Sequence, residues 1–138
     1  MFHGYLLRRG RFTTIDVPGA VSTRALGISA SGEIAGNYTD AAGKIHGFLL
    51  RAEEFTTIDL PKAIYTEAFQ INPRGDIVGN YQSADGVFRE FLLSGGAFTS
   101  IDFPGAVATG GTLFRCRHQP GRCNRGPVPG YEQHGGIL

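Results

Sequence analysis

Cysteine is almost absent from this chain: Cys116 and Cys123 are the only two in 138 residues. Both fall in the last 25 residues, so no disulfide framework braces the rest. Long hydrophobic runs are missing as well. No stretch approaches the roughly 20 apolar residues that span a bilayer as a helix. The N-terminus has no charged lead followed by a long apolar segment, so no signal peptide is expected there. Excess charge of either sign is also lacking, with a formal net charge of +1. That total joins two unequal parts. Residues 1–113 hold 9 Lys/Arg and 11 Asp/Glu, and residues 114–138 hold 4 Arg and 1 Glu. The larger part offers no basic face, which excludes nucleic acid as a partner. Helix-favouring runs are absent too. No glycine-rich loop leads into a helix, and no Gly-x-Ser-x-Gly element is present.

What the chain does contain is repetition. Residues 3–45 align with 46–88 without a gap, with 22 identities in 43 positions. Phe12-Thr-Thr-Ile-Asp16 returns as Phe55-Thr-Thr-Ile-Asp59 and again as Phe98-Thr-Ser-Ile-Asp102. Gly32-Glu-Ile-Ala-Gly-Asn-Tyr38 returns as Gly75-Asp-Ile-Val-Gly-Asn-Tyr81. Such self-similarity marks one supersecondary unit stacked on copies of itself. The period divides the chain into unit 1 (3–45), unit 2 (46–88), a partial unit 3 (89–113) and a non-repeating tail (114–138).

Four strand-like runs make up a unit: Arg24–Ala30, Glu33–Tyr38, Ile45–Arg51 and Phe12–Val17, the last recurring as Phe55–Leu60. Thr, Ile, Val, Phe and Tyr dominate them, as strands require. Phe12, Thr14 and Asp16 alternate with Thr13, Ile15 and Val17, the period of a half-buried sheet. Gly32, Gly75 and the Asp40-Ala-Ala-Gly43 segment supply turn chemistry. Pro18, Pro61 and Pro104 end the fourth run, because proline has no N–H and fixes φ. Glycine inside Ile34-Ala-Gly36 and Ile77-Val-Gly79 marks a crowded strand that another backbone approaches closely. The expected fold is all-β. It is built from antiparallel four-stranded units of about 43 residues, the size of a β-propeller blade, as an incomplete propeller with an irregular tail. An open β-solenoid or a stack of hairpins is the alternative.

This pattern resembles the HAF-repeat family of extracellular bacterial repeat proteins. The match runs through Gly47-Phe48-Leu49, Phe55–Asp59, Pro61, Ala63, Thr66, Ala68, Ile71-Asn72, Gly75 and Ile77-Val-Gly79-x-Tyr81, and covers residues 3 to about 109. Departures are Lys62 and Gln70 where the family has glycine, and Arg89-Glu90 where the other copies read His-Gly. The resemblance implies a secreted β-repeat protein and brings no catalytic residues.

Because the chain starts part-way through a unit, a fragment of a longer array is expected. The tail departs from every periodicity. Read one base out of frame with permitted codons, it yields Ile-Asn-Pro-x-Gly-x-Ile-Val-Gly-x-Tyr, the pattern of Ile71–Tyr81. The expectation is an out-of-frame translation of a further repeat, which nucleotide data lacking those codons would sink. Cys116, His118, Cys123 and His134 resemble a zinc quartet only in composition. Paired Cys-x-x-Cys spacing is missing, so no metal and no cofactor is expected. A Cys116–Cys123 disulfide requires export.

Asp16, Asp59 and Asp102 recur with His3 and His46. One active site needs one constellation, whereas recurrence is what a turn or cap needs, so these are read as structural. Asp40 and Asp85 lack the several-oxygen loop of a calcium site. Asn37, Tyr38, Asn80 and Tyr81 are polar–aromatic pairs beside a hairpin, suited to stacking on a sugar or peptide or, as is more common for such a tyrosine, to packing against the neighbouring sheet with its hydroxyl at the edge. The expected function is a non-catalytic scaffold or binding module, with carbohydrate or protein held by blade-end loops. The alternatives are a piece of a propeller enzyme whose site lies elsewhere, or a truncated product with no function of its own. Open sheet edges would favour self-association.

Overall fold

The computed structural model describes residues 1–101. Asp102, the rest of the partial third unit, the tail and the four Cys/His residues of the zinc reading lie outside the described residues. Ten strands and no helix make up the described part: β1 (Gly4–Arg8), β2 (Arg11–Ile15), β3 (Ser22–Ile28), β4 (Ile34–Thr39), β5 (Ile45–Arg51), β6 (Glu54–Ile58), β7 (Ala63–Ile71), β8 (Ile77–Ser83), β9 (Phe88–Ser94) and β10 (Ala97–Ile101).

Within each hairpin or meander, consecutive strands pair antiparallel. β3-β4-β5-β6 form one meander and β7-β8-β9-β10 a second, while β1 and β2 form a separate two-stranded sheet. The meanders meet through a single parallel residue pair, Ile45↔Tyr65. No closed sheet forms among the described residues. The 43-residue spacing is therefore one of register. Gly36 faces Phe48 and Gly79 faces Phe91. A bulge follows Ala25 in β3 and Ala68 in β7. The hydrogen-bonded meander runs across position 45, so the divisions at 45 and 88 mark a period and not the edge of a sheet. Strand limits also shift. β3 starts at Ser22, because Ser22 pairs with Thr39, and it stops at Ile28, because Ser29 enters the turn.

Two buried clusters hold the layers together. Ile15, Ile34 and Phe48 join the β1–β2 hairpin to the first meander, with Leu6, Val17 and Phe55 packed on them. Ala35 and Ile58 of the first meander meet Ala68, Ile71, Ile77 and Phe91 of the second. Phe48 and Phe91 are wholly buried, each contributing about 1.5–3 kcal/mol of transfer free energy. Each also makes an edge-on ring contact with the neighbouring strand, to Phe55 at 5.5 Å and Phe98 at 5.6 Å. The strand glycines fit this packing: a Cβ at Gly36 or Gly79 would lie 2.7 Å from the ring of Phe48 or Phe91.

The β5–β6 turn is less well served by its sequence. Ala52 and Glu53 both adopt positive φ (47° and 70°), where the β9–β10 turn has Gly95-Gly96 and the β1–β2 turn has Arg9-Gly10. Lys62 likewise sits at φ 65°, where Gly19 stands in the earlier copy. Non-glycine residues strain this left-handed region. Glu53→Gly and Lys62→Gly are each expected to stabilise the chain by about 0.5–1 kcal/mol, once the entropy of glycine is subtracted. A rise in the urea midpoint at unchanged slope is the reading that checks this.

Candidate functional site

The β4–β5 and β8–β9 turns, and the exits of β2 and β6, place a series of charged clusters along one end of the strands. The richest surrounds His46 on β5. Its Nδ1 lies 2.7 Å from the Asp59 carboxylate and its Nε2 3.1 Å from Asp40, while the Lys44 ammonium is 3.7 Å from Asp59. Asp40 is oriented by the turn itself, where its Oδ1 accepts the N–H groups of Ala42 and Lys44. Those bonds, with the His46 contact as the largest cause, hold the Asp40 carboxyl below its usual range. The other Asp59 oxygen, Oδ1, is buried without a hydrogen-bond partner among the described residues.

Related clusters occupy the matching places in the other strand pairs. His3, immediately before β1, contacts Asp16 at 2.9 Å, near the surface. On β9 the histidine position holds Arg89, and its guanidinium donates to Asp85 at 2.8 Å and to the Ser83 hydroxyl. Ser83 stands where the earlier copy has Asp40, and the acidic group has moved to Asp85, two residues on. The change from His-Gly to Arg-Glu thus comes with a compensating change in its partners. Arg89, first among several causes, pulls the Asp85 carboxyl well below its ordinary value.

Asn37 and Asn80 are not brought together. Asn37 is 5% exposed, and its Nδ2 donates to Glu67 Oε1 at 2.6 Å, bridging β4 to β7. The second Glu67 oxygen accepts from the Tyr65 hydroxyl at 2.6 Å. Burial first and then that bond push the Tyr65 phenol above its usual range. Asn80 lies between Glu67 and Glu90 in its sheet, with its Oδ1 buried and unpartnered among the described residues. Tyr38 stacks on His46, with ring centres 5.0 Å apart, and its hydroxyl reaches Thr57 at 3.0 Å. Tyr81 repeats the reach to Ser100 at 3.1 Å. Each tyrosine thus spans the third strand of its meander and joins the second to the fourth.

At this end the charged side chains of each cluster are engaged with one another. Both ring nitrogens of His46 already face carboxylates, leaving neither for a substrate. No group of three or more His, Cys, Asp or Glu side chains among the described residues is placed to hold a metal ion. No helix among them is long and apolar enough to cross a membrane. Residue reading alone missed Glu67, Tyr65 and Lys44. Glu67 matches Arg24 in the earlier copy and so gave no repeating signal.

The lowered carboxyls carry a pH dependence. Asp40, Asp76 and Asp85 all have folded-state pKa values below the ordinary 3.8. The unfolded chain therefore binds more protons than the folded chain as acid is added. Their stabilisation is present above the ordinary Asp range and is lost as pH falls through the lowered values. The urea midpoint is expected to drop between about pH 5 and about pH 2, and less steeply in Asp40→Asn. An equal slope in the variant would show that Asp40 carries none of it.

Compared with protein-family models, with curated proteins and with solved structures, this chain has no match.

Proposed function

We propose that this chain is a non-catalytic scaffold or binding module of an extracellular β-repeat protein of propeller type. Its working surface is the strand end that carries the β4–β5 and β8–β9 turns. The single observation behind the reading is the closure of the polar clusters at that end. His46, Asp40 and Asp59 are held by one another, and where the histidine gives way to Arg89 the acceptors change with it. Residues kept in register to bind each other form a frame, and the turns they brace project beyond it as a rim. The successive four-stranded meanders, with β6 crossing to β7 of the next, support the propeller form. Extracellular placement rests on the HAF-repeat motif alone. The ligand class is carbohydrate or protein, met by the turns and by the faces of Tyr38 and Tyr81.

The test is a chemical-shift titration of the full chain with cello-, xylo- and chito-oligosaccharides and with unstructured peptides. Shifts confined to residues 38–46 and 81–89, with no product formed, are the expected result. Turnover of any of these, lost in His46→Asn, would overturn the reading in favour of an enzyme.

A further inference from the structure

The two meanders differ where they touch. β3 carries Ser22, Arg24 and Gly27 at the positions where β7 carries Tyr65, Glu67 and Gln70. Asn37 and Asn80 recur beside them, as the sheet partners of Arg24 and Glu67. Residues that vary against a constant neighbour are the ones able to tell one copy from the other.

Charge is the first difference. Arg24 and Asn37 stand side by side on β3 and β4, and β7 lays Glu67 against Asn37. One Glu67 oxygen accepts from Asn37 at 2.6 Å and the other from the Tyr65 hydroxyl at 2.6 Å. Arg24 is held over the Phe2 ring at 4.6 Å, near enough for its charge to act on that hydroxyl. A strand of the β3 sequence in the place of β7 would bring a second arginine towards Arg24, with serine replacing the tyrosine that braces Glu67. Like charges would meet, and the Asn37 N–H would lose its carboxylate.

Shape is the second difference. β7 crosses β3 so closely that a Cβ at Gly27 would lie 2.5 Å from the Phe69 carbonyl oxygen and 2.9 Å from the Cα of Gln70. Only glycine leaves room for this crossing. The second meander has Gln70 at the matching position, so its first strand could not be crossed on the same path. Gln70 is also one of the departures from the HAF-repeat pattern.

We propose that the β3–β4 surface selects the strand laid on it, accepting glutamate against Arg24 and Asn37 and refusing arginine there, so that the order of the two units is specified at their joint. The first meander is the receiving unit and the second the received. The partner this surface fits is an acidic strand braced by tyrosine, here β7 of the same chain. Gly27 admits that strand, and the Gln70 position would not. No ligand at the strand ends enters into this selection.

Charge reversal in the full chain, followed by urea unfolding, is the test. Glu67→Arg should lower the folding equilibrium constant at least about tenfold, and Arg24→Glu about threefold or more. The double reversal, Arg24→Glu with Glu67→Arg, should return to within about threefold of the original, since the charges are opposite again and the Asn37 carbonyl can accept from arginine. Gly27→Ala should lose at least about tenfold, from the close crossing. By NMR, the Asn37 side-chain amide should exchange slowly in the original and fast in Glu67→Ala, a reading that does not need the arginine variant to fold. Glu67→Arg as stable as the original, a double reversal that fails to fold or merely combines the two losses, an unaffected Gly27→Ala, or a freely exchanging Asn37 amide would each overturn the proposal. Any of these outcomes leaves the oligosaccharide titration free to succeed, so the two readings fail separately.

Discussion

Gly79→Val is expected to cost about 3 kcal/mol or more, the upper end of overpacking penalties, and Gly36→Val the same. An added Cβ at Gly79 meets the Glu67 carbonyl oxygen and lies 2.7 and 2.8 Å from Cε1 and Cζ of Phe91. The carbonyl belongs to a paired strand and the ring is wholly buried, so neither can give way cheaply. Crowding, not backbone conformation, is the cause, and a control separates them. Gly43 has φ +84° and nothing within 4 Å of an added Cβ. Gly43→Ala should therefore cost about 1 kcal/mol, from left-handed strain alone. Urea denaturation of the three variants is the measurement. A Gly79→Val chain as stable as Gly43→Ala would mean that β8 and β9 are not in this register.

Phe91→Ala and Phe48→Ala should each lose about 3–5 kcal/mol, since both rings are fully buried and leave cavities the sheet cannot close. Tyr5→Ala, at the matching place of the β1–β2 hairpin, should lose less than about 1 kcal/mol. The three positions share one strand register and one ring contact, so sequence similarity alone would assign them equal effects. Cover makes the difference: β4 lies against Phe48 and β8 against Phe91, and Tyr5 has neither. Thermal or urea midpoints of the three variants decide it. Equal losses would show that Tyr5 is buried in solution.

Much of this was legible in the residues. The strand glycines stood in the pattern Ile-x-Gly, and close approach was the physical reading of that placement. Gly32, Gly43 and Gly75 occupy turns with positive φ, as their positions between apolar runs implied. The strand order was legible as well: the runs beginning at Arg24, Glu33, Ile45 and Phe55 are β3, β4, β5 and β6, paired in that order. The divisions at 45 and 88 count the period alone, and the hydrogen bonds run from β4 to β5 across the first of them. Ala52 and Glu53 gave no sign of left-handed backbone, because the turn geometry is imposed by the strands and not by the residues. At the candidate site, the pairing of His46 with Asp59 could be suspected from their joint return as His3 and Asp16. Asp40 could not, because its place is taken by Ser83 in the next copy. The Asn37–Glu67 bond joins positions 30 residues apart with no shared pattern, and only the stacking of one meander on the next brings them within reach.

One four-stranded antiparallel arrangement is built twice in succession, and the β1–β2 hairpin repeats its last two strands with no strand on the outer edge of β1 among the described residues. Residue-resolved hydrogen exchange on the intact chain tests it most directly. The expected result is matched slow exchange in β4–β5 and β8–β9, the inner strands of each meander, with faster exchange along β1. Slow exchange in one meander while the other exchanges freely, or protection of β1 equal to that of β5, would contradict it.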